Sequence, residues 1–290
     1  MKDYFGYTGK VCVVTGAASG MGKSATEMLV DLGAKVYALD WNEVQVEGIE
    51  KFIPVDLSQK DSIDEAFKQI PEKIDSFFGI AGVSGIKTDF NKTVTIDFIA
   101  NKYICETYLL NRMTEGSAIA FITSTGGNNW EKEGNQKEYL PLIEVSSWEE
   151  MVSTLENMQL NTLPGPLGYM FAKMAMNYYT AYLQKLFAVK HVRVNALLPG
   201  STKTGMKDEF SMAAGGDDKL LQATGFAGRL AESREMGEPV VFLNSNMASF
   251  ISGELLIVDY GCSIMTQAKL QEDLMGSVTF DKIKANFKKS

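Results

Sequence analysis

The chain has 290 residues, 45% of them apolar and 22% charged, with a formal net charge of −8, a balance that suits one large α/β domain or two small ones. The acidic surplus argues against a nucleic-acid partner, which needs a basic surface to meet phosphates, and no apolar run reaches the roughly 18 residues of a membrane span. One histidine rules out a zinc site with two or three of them and leaves acid–base chemistry to Tyr, Lys, Asp or Glu.

The opening "MKDYFGYTGK" lacks an apolar signal core. Cys12, Cys105 and Cys262 lie far apart in no C-x-x-C pattern and read as reduced core or near-core thiols, so a cytoplasmic protein is expected. "KVCVVTG" (10–16) reads as a buried strand, followed by a helix from about Gly22 to Leu32 that ends near Gly33. "AKVYALD" (34–40) and "KFIPVDL" (51–57) are two further strands, and a helix follows around Ser62–Gln69. "SFFGIAG" (76–82) is a fourth strand, 96–112 a long helix, and "SAIAFITS" (117–124) a fifth strand. A helix over "GPLGYMFAKMAMNYYTAY" precedes the sixth strand, "VRVNALLP" (192–199), and "GELLIVD" (253–259) is the seventh. His191, just before the sixth strand, is expected in a turn or on the surface. Near-continuous apolar strands alternating with helices indicate a parallel sheet covered on both faces.

Two segments break this rhythm. Residues 128–164 are inserted between the fifth strand and the next helix. Within them "SSWEEMVSTLENMQ" opens with a capping box, Ser147 to Glu150, and places Met151, Leu155 and Met158 on one helical face with Val152 beside them. After about Met265 the chain turns polar and lysine-bearing, suiting a short helix or a mobile end.

"TGAASGMG" (15–22) follows the first strand and opens the first helix. Glycines at 16, 20 and 22 let the backbone turn tightly beside a pyrophosphate, and the helix N-terminus presents N–H groups to an anion. The spacing departs from the usual G-x-G-x-x-G fingerprint. Asp40, ending the second strand, can accept from ribose hydroxyls and would repel a 2′-phosphate. Neither Trp41 nor Ser19 offers a positive charge, so NAD is expected over NADP. Asp56 suits either the adenine amino group or a helix cap. Tyr169 and Lys173 lie four residues apart and share a helical face.

"TGAASGMG", Asp40, Ser124 in "ITST", "YMFAK" and "PGSTKT" occur in an order that resembles the short-chain dehydrogenase/reductase family, over about 10–261. The resemblance implies an α/β, Rossmann-like, doubly wound sheet of about seven parallel strands in three αβα layers, and NAD as cofactor. It makes residues 1–265 a single NAD-binding domain, with a helical insertion at 128–164, a substrate lid at 205–228 and a tail at 266–290. It implies Tyr169 as catalytic acid/base, Lys173 as its partner, Ser124 as the substrate-orienting serine, and Asp97 where the family usually carries an asparagine of a proton relay. Cofactor contacts are implied at Gly16, Ser19, Gly20, Met21, Gly22, Asp40, Trp41, Asp56, Leu57, Ala81, Gly82, Tyr169, Lys173, Pro199, Gly200, Thr202 and Thr204, with no metal. In "GIAG" (79–82) only Ala81 and Gly82 match the family's Asn-Asn-Ala-Gly.

A free tyrosine, with a pKa of about 10, is a poor base at neutral pH. The Lys173 ammonium and the charge of the oxidised nicotinamide are expected to lower it. Asp97 is expected to order the relay water while altering the pH optimum. Ser124 and Tyr169 lie 45 residues apart, farther than is usual in the family, and some bacterial hydroxysteroid dehydrogenases resemble the chain in carrying a helical insertion there. Met206, Phe210, Met212 and Phe226 suit a flexible lid over an apolar substrate. The expected reaction is interconversion of a secondary alcohol and a ketone on a hydroxysteroid or bile acid. The alternatives are a small diol, sugar or polyol, or a non-catalytic NAD sensor. A homo-oligomer, dimer or tetramer, is expected from the resemblance.

Overall fold

The computed structural model describes residues 3–272 and 279–287; the parts of the polar tail at 273–278 and 288–290 lie outside the described residues. Its strands are β1 (Val11–Thr15), β2 (Lys35–Asp40), β3 (Lys51–Pro54), β4 (Ser76–Gly79), β5 (Ala118–Ile122), β6 (Arg193–Pro199), the short pair β7 (Thr202–Lys203) and β8 (Ala231–Glu232), and β9 (Leu255–Val258). Seven of them form one parallel sheet in the order β3-β2-β1-β4-β5-β6-β9. The chain moves outward from β1 to β3, then crosses back to β4 on the other side of β1. That reversal opens a crevice at the C-terminal ends of β1 and β4, the place where open α/β sheets hold ligands.

The helices are α1 (Gly20–Asp31), α2 (Lys60–Phe67), α3 (Phe90–Val94), α4 (Ala100–Ile104), α5 (Leu110–Arg112), α6 (Glu133–Glu144), α7 (Trp148–Asn157), α8 (Gly165–Phe187), α9 (Lys207–Ala214), α10 (Asp217–Gln222), α11 (Ser233–Asn244), α12 (Cys262–Gln267) and α13 (Phe280–Phe287). Strand side chains alternate between faces. Cys12 and Val14 join Val36, Ala38, Phe78 and Ala120 in the core under α1 and α11. Val13 joins Leu39, Phe77, Ile119 and Phe121 in the core under the helical run 90–112 and α8. This is the expected three-layer architecture. The first helix ends where expected, at Gly33 with φ +77°, a conformation that favours glycine. His191 is exposed at φ 55° in the turn before β6. Among the described residues no helix is long and apolar enough to cross a membrane.

The long helix starts six residues earlier than expected. Asp89 caps it, accepting from the Lys92 N–H at 2.8 Å. The run 90–112 is not uniform: α3, α4 and α5 are joined by π-helical turns at Thr95–Ile99 and Cys105–Leu109. Such turns are often found at functional sites, and the first carries Asp97.

The insertion holds two helices. α7 has the expected capping box: Ser147 Oγ accepts from the Glu150 N–H and Glu150 Oε2 from the Ser147 N–H, both at 3.2 Å. Met151 and Leu155 are buried on the outer face of the helical layer, and Trp148 sits edge-on to Tyr103 at 5.5 Å. Each such side chain contributes about 1.5–3 kcal/mol by leaving water. α6 was not anticipated. Pro141 reads as a helix breaker, yet it lies inside α6, which buries Tyr139, Leu142 and Ile143. The tail adds α12 and α13, and Phe280 of α13 belongs to the main core.

Candidate active site

Thr15 ends β1 and ties it to the end of β4: its hydroxyl accepts from the Ile80 and Ala81 N–H groups at 3.1 and 3.3 Å. The chain then turns at Gly16, where φ is +74° and a Cβ would lie 2.8 Å from the Ala81 backbone. A Cβ on Gly22 would lie 2.0 Å from the Gly16 carbonyl, so the turn and α1 pack closer than any side chain permits. α1 begins without a side-chain cap from Ser19 and without an acid in its first turn. Its leading N–H groups therefore face the crevice, free to meet an anion.

Asp40 closes this loop. One carboxylate oxygen accepts from the Ala18 N–H at 3.0 Å and the other from the Asn42 N–H at 2.9 Å. Trp41 beside it is 66% exposed. Asp56 does not cap α2, whose N-cap is Gln59; its Oδ1 accepts from the Ser58 N–H and hydroxyl at 2.8 and 2.7 Å.

On the other side of the crevice, β5 runs out at Ser124, whose Oγ accepts from the Gly126 N–H at 2.9 Å and so caps a tight turn. α8 projects Tyr169 and Lys173 towards it. The Ser124 side chain lies beside the Tyr169 hydroxyl, where it lowers the phenol pKa, and the Lys173 Nζ lies 5.2 Å from the centre of the Tyr169 ring. Lys173 is buried, donates to the Ile122 carbonyl at 3.4 Å, and pairs with Asp97 Oδ2 at 3.5 Å. Asp97 Oδ1 accepts from the Val83 N–H at 2.8 Å, while Oδ2 has the ion pair but no hydrogen bond. A Cβ on Gly82 would lie 3.3 Å from both Asp97 Oδ2 and Lys173 Nζ, so glycine there leaves room for the pair.

Burial raises the Asp97 pKa, against the pull of Lys173 and of the Val83 N–H. Burial likewise raises that of Tyr169, and Lys173 and Ser124 offset it only in part. The lysine pulls in the expected direction, but in the protein alone the cost of burying a phenolate is larger.

Gly16, Gly22, Asp40, Asp56, Ser124, Tyr169 and Lys173 line one cavity of about 1540 Å³, larger than the sites that hold a single small ligand. The seventeen expected cofactor positions all lie on its wall, from Gly16 to Thr204. Asp97 lies behind Lys173, away from the wall. The residues fit a dinucleotide: a glycine cradle no Cβ could share, an uncapped helix N-terminus, and a strand-end carboxylate. Among the described residues no cluster of His, Cys, Asp or Glu could hold a metal ion.

Of the lid residues, Met206 and Phe210 line the cavity, and Phe210 meets Tyr169 edge-on at 5.4 Å. Met212, on α9, and Phe226, in the turn at Gly225–Ala227, do not line it and are 71% and 75% exposed. Sequence reasoning missed Glu209. It accepts from the Ser84 hydroxyl and pairs with Lys87 at 2.6 Å, tying α9 to the loop after β4. It also missed Phe280 and Ile283 of α13, which line the same cavity. Nothing in the sequence pattern marked those three, whose partners lie far away along the chain.

Residues 10–135 match the family model for short chain dehydrogenases, and residues 149–263 match the model described as enoyl-(acyl carrier protein) reductase. A coniferyl-alcohol dehydrogenase from a Pseudomonas species is 29% identical, over 88% of this chain and 96% of its own. A 3alpha-hydroxysteroid dehydrogenase from Mediterraneibacter gnavus is 27% identical, over 86% of this chain and 95% of its own. Among solved structures, the 3-alpha-hydroxysteroid dehydrogenase from a Pseudomonas species, complexed with NADH, superposes with a TM-score of 0.69 at 22% identity, covering 91% of this chain and all of its own.

Proposed function

The chain belongs to the short-chain dehydrogenase/reductase family, oxidoreductases that use a nicotinamide cofactor, and from that premise we propose that it is an NAD-dependent enzyme interconverting a bulky, apolar secondary alcohol and its ketone. The observation that carries this reading is that Ser124, Tyr169 and Lys173 share the wall of the cavity that also holds the glycine turn, with the Lys173 Nζ 5.2 Å from the Tyr169 ring.

In the proposed oxidation, the Tyr169 oxygen takes the proton from the substrate hydroxyl; in reduction it returns that proton to the carbonyl oxygen. Ser124 donates to the same substrate oxygen and stabilises the charge that develops there. Lys173 favours the phenolate through its charge and holds the ribose. Bound in the crevice, the nicotinamide supplies the hydride chemistry. Asp40 gives the NAD preference, since its carboxylate would face a 2′-phosphate. Residues 1–265 act as one NAD-binding domain, with 205–228 as lid.

A hydroxysteroid or bile acid is the substrate class the features favour. The cavity is large, Met206 and Phe210 place apolar surface on its wall, and two relatives named above are hydroxysteroid dehydrogenases. The test is NADH absorbance with a panel of hydroxysteroids, aryl alcohols and small polyols, each with NAD and NADP. Steroid turnover with NAD, lost by about 10²–10⁴-fold in Tyr169→Phe with NADH still bound, is the expected result. Turnover confined to polyols would overturn the substrate class. Cofactor binding with no turnover across the panel would make the protein a sensor.

A further inference from the structure

Ile96, Trp130, Met170, Met174, Phe280 and Ile283 give the cavity a set of apolar wall side chains, its apolar arm. The last two come from α13. Phe280 is 1% exposed, with its ring 6.2 Å from Phe90 and 5.4 Å from Phe171. α13 is also fastened to the inserted α6 by polar contacts. Asp281 pairs with Lys137 at 3.1 Å, and Lys284 with Glu138. Between them sits Asn135, 1% exposed, with both ends of its side-chain amide engaged. Its Oδ1 accepts from the Phe280 N–H at 2.6 Å, and its Nδ2 donates to the Asn129 carbonyl at 2.7 Å. Asn129 and Trp130 are cavity wall as well, and the Trp130 carbonyl is held by the Tyr139 hydroxyl of α6. One helix of the insertion thus braces two stretches of wall that are otherwise unconnected.

We propose that α13 is the far wall of the substrate arm and sets the length of substrate admitted, with Ile283 as the specificity-determining side chain and Asn135 as the positioning residue that fixes α13 against the 128–131 loop. The ligand this arm takes is a rigid apolar body extending away from the reacting carbon. The inference rests on the oxidoreductase reading for its substrate but not for its geometry. Ile283 is partly exposed and none of the seventeen expected cofactor positions lies on α13, so exchanging it is expected to change the bore of the arm with NADH affinity kept.

The test compares full-length wild type, Ile283→Trp, Ile283→Ala and Asn135→Ala, all loaded with NADH. kcat and KM are measured for a 3-ketosteroid and for cyclohexanone, and 1-anilinonaphthalene-8-sulfonate serves as an apolar probe read by fluorescence. Filling the arm with tryptophan is expected to cut kcat/KM for the ketosteroid about tenfold or more, through KM, while cyclohexanone changes less than about twofold. The same variant is expected to weaken probe binding, and the alanine variant, which leaves the arm open, to keep both near wild type. Asn135→Ala is expected to raise the ketosteroid KM with kcat nearly unchanged, a split that general loss of folded protein would not produce. An unchanged ketosteroid-to-cyclohexanone ratio in Ile283→Trp, with NADH affinity intact, overturns the proposal. If the wild type turns over neither ketone, the substrate reading has failed, and the probe decides alone. Weaker probe binding in the tryptophan variant supports the wall; equal binding, or none in the wild type, sinks it.

Discussion

Asp97 sits where water cannot reach it, and burial makes its charged form costly. A carboxyl whose folded pKa is raised contributes stability that is fully present below its unfolded pKa and is lost as the pH rises through the folded value. The affected window runs upward from the ordinary aspartate value of 3.8. Asp97→Asn keeps an acceptor for the Val83 N–H and removes the titration, so the variant is expected to melt higher than wild type at pH 8, with the gain shrinking towards pH 4. Thermal melts across that range check it; a lower melting temperature at pH 8 would show that the Lys173 pair outweighs the burial cost. Tyr169 titrates in the other regime. Because its pKa is raised in the protein alone, ultraviolet difference titration of the free protein should find its phenolate only above pH 10. Saturating NAD should move that titration down, and alcohol oxidation should climb with pH into the alkaline range. At this scale the sequence was informative wherever chemistry is local. Glycine spacing, a strand-end acid, and a tyrosine one turn before a lysine all declare themselves. The lid contact of Glu209 and the joint at Asn135 could not be read, since each depends on a partner brought from elsewhere in the chain.

Among the elements, the inserted helices show why local signals succeed or fail. The start of α7 is written in four residues, Ser147 to Glu150, and the structure uses them as written. Ser147→Ala is expected to cost about 1 kcal/mol, measured as a drop in denaturation midpoint without a change in slope. α6 carries the contrary signal of Pro141, and its helical state depends on burying Tyr139, Leu142 and Ile143 against α8 and its surroundings. Tertiary packing there overrides a local breaker. The run 90–112 was likewise legible as a helix, but its π-helical turns were not. They set which side chains face inward, and one of them delivers Asp97 to the space beside Lys173. Gly16→Ala should be among the most damaging single changes in any βα turn of the protein: it combines a strained φ with a 2.8 Å approach to the Ala81 backbone. A loss of more than about 1 kcal/mol is expected, together with weakened NADH binding by fluorescence titration.

Across the whole molecule, alternating apolar strands and helices specified a doubly wound sheet, and connection rules leave few alternatives for its order. What periodicity could not specify is the outer boundary of the cavity. Its walls come from the insertion, the 205–228 segment and the tail, segments with no fixed place in a repeating βα plan. A cofactor bound between the two halves of the sheet favours the folded state by mass action. NADH at about a hundred times its dissociation constant should add about 2.7 kcal/mol, visible as a rise in melting temperature that Asp40→Ala diminishes at the same NADH concentration.

The reversal of the chain between β3 and β4 has a kinetic consequence as well. The tie between the glycine loop and Asp40 closes over 22 residues, through β1, α1 and β2, whereas Ser124 meets Tyr169 only after the 45 residues between them have folded back. Contacts that close long loops form late, because their entropy must be lost before they are rewarded. On dilution from denaturant, helical signal should therefore recover before the Ser124–Tyr169 contact does. A refolding chain would pass through a stage in which one half of the crevice is shaped and the proton-handling half is not.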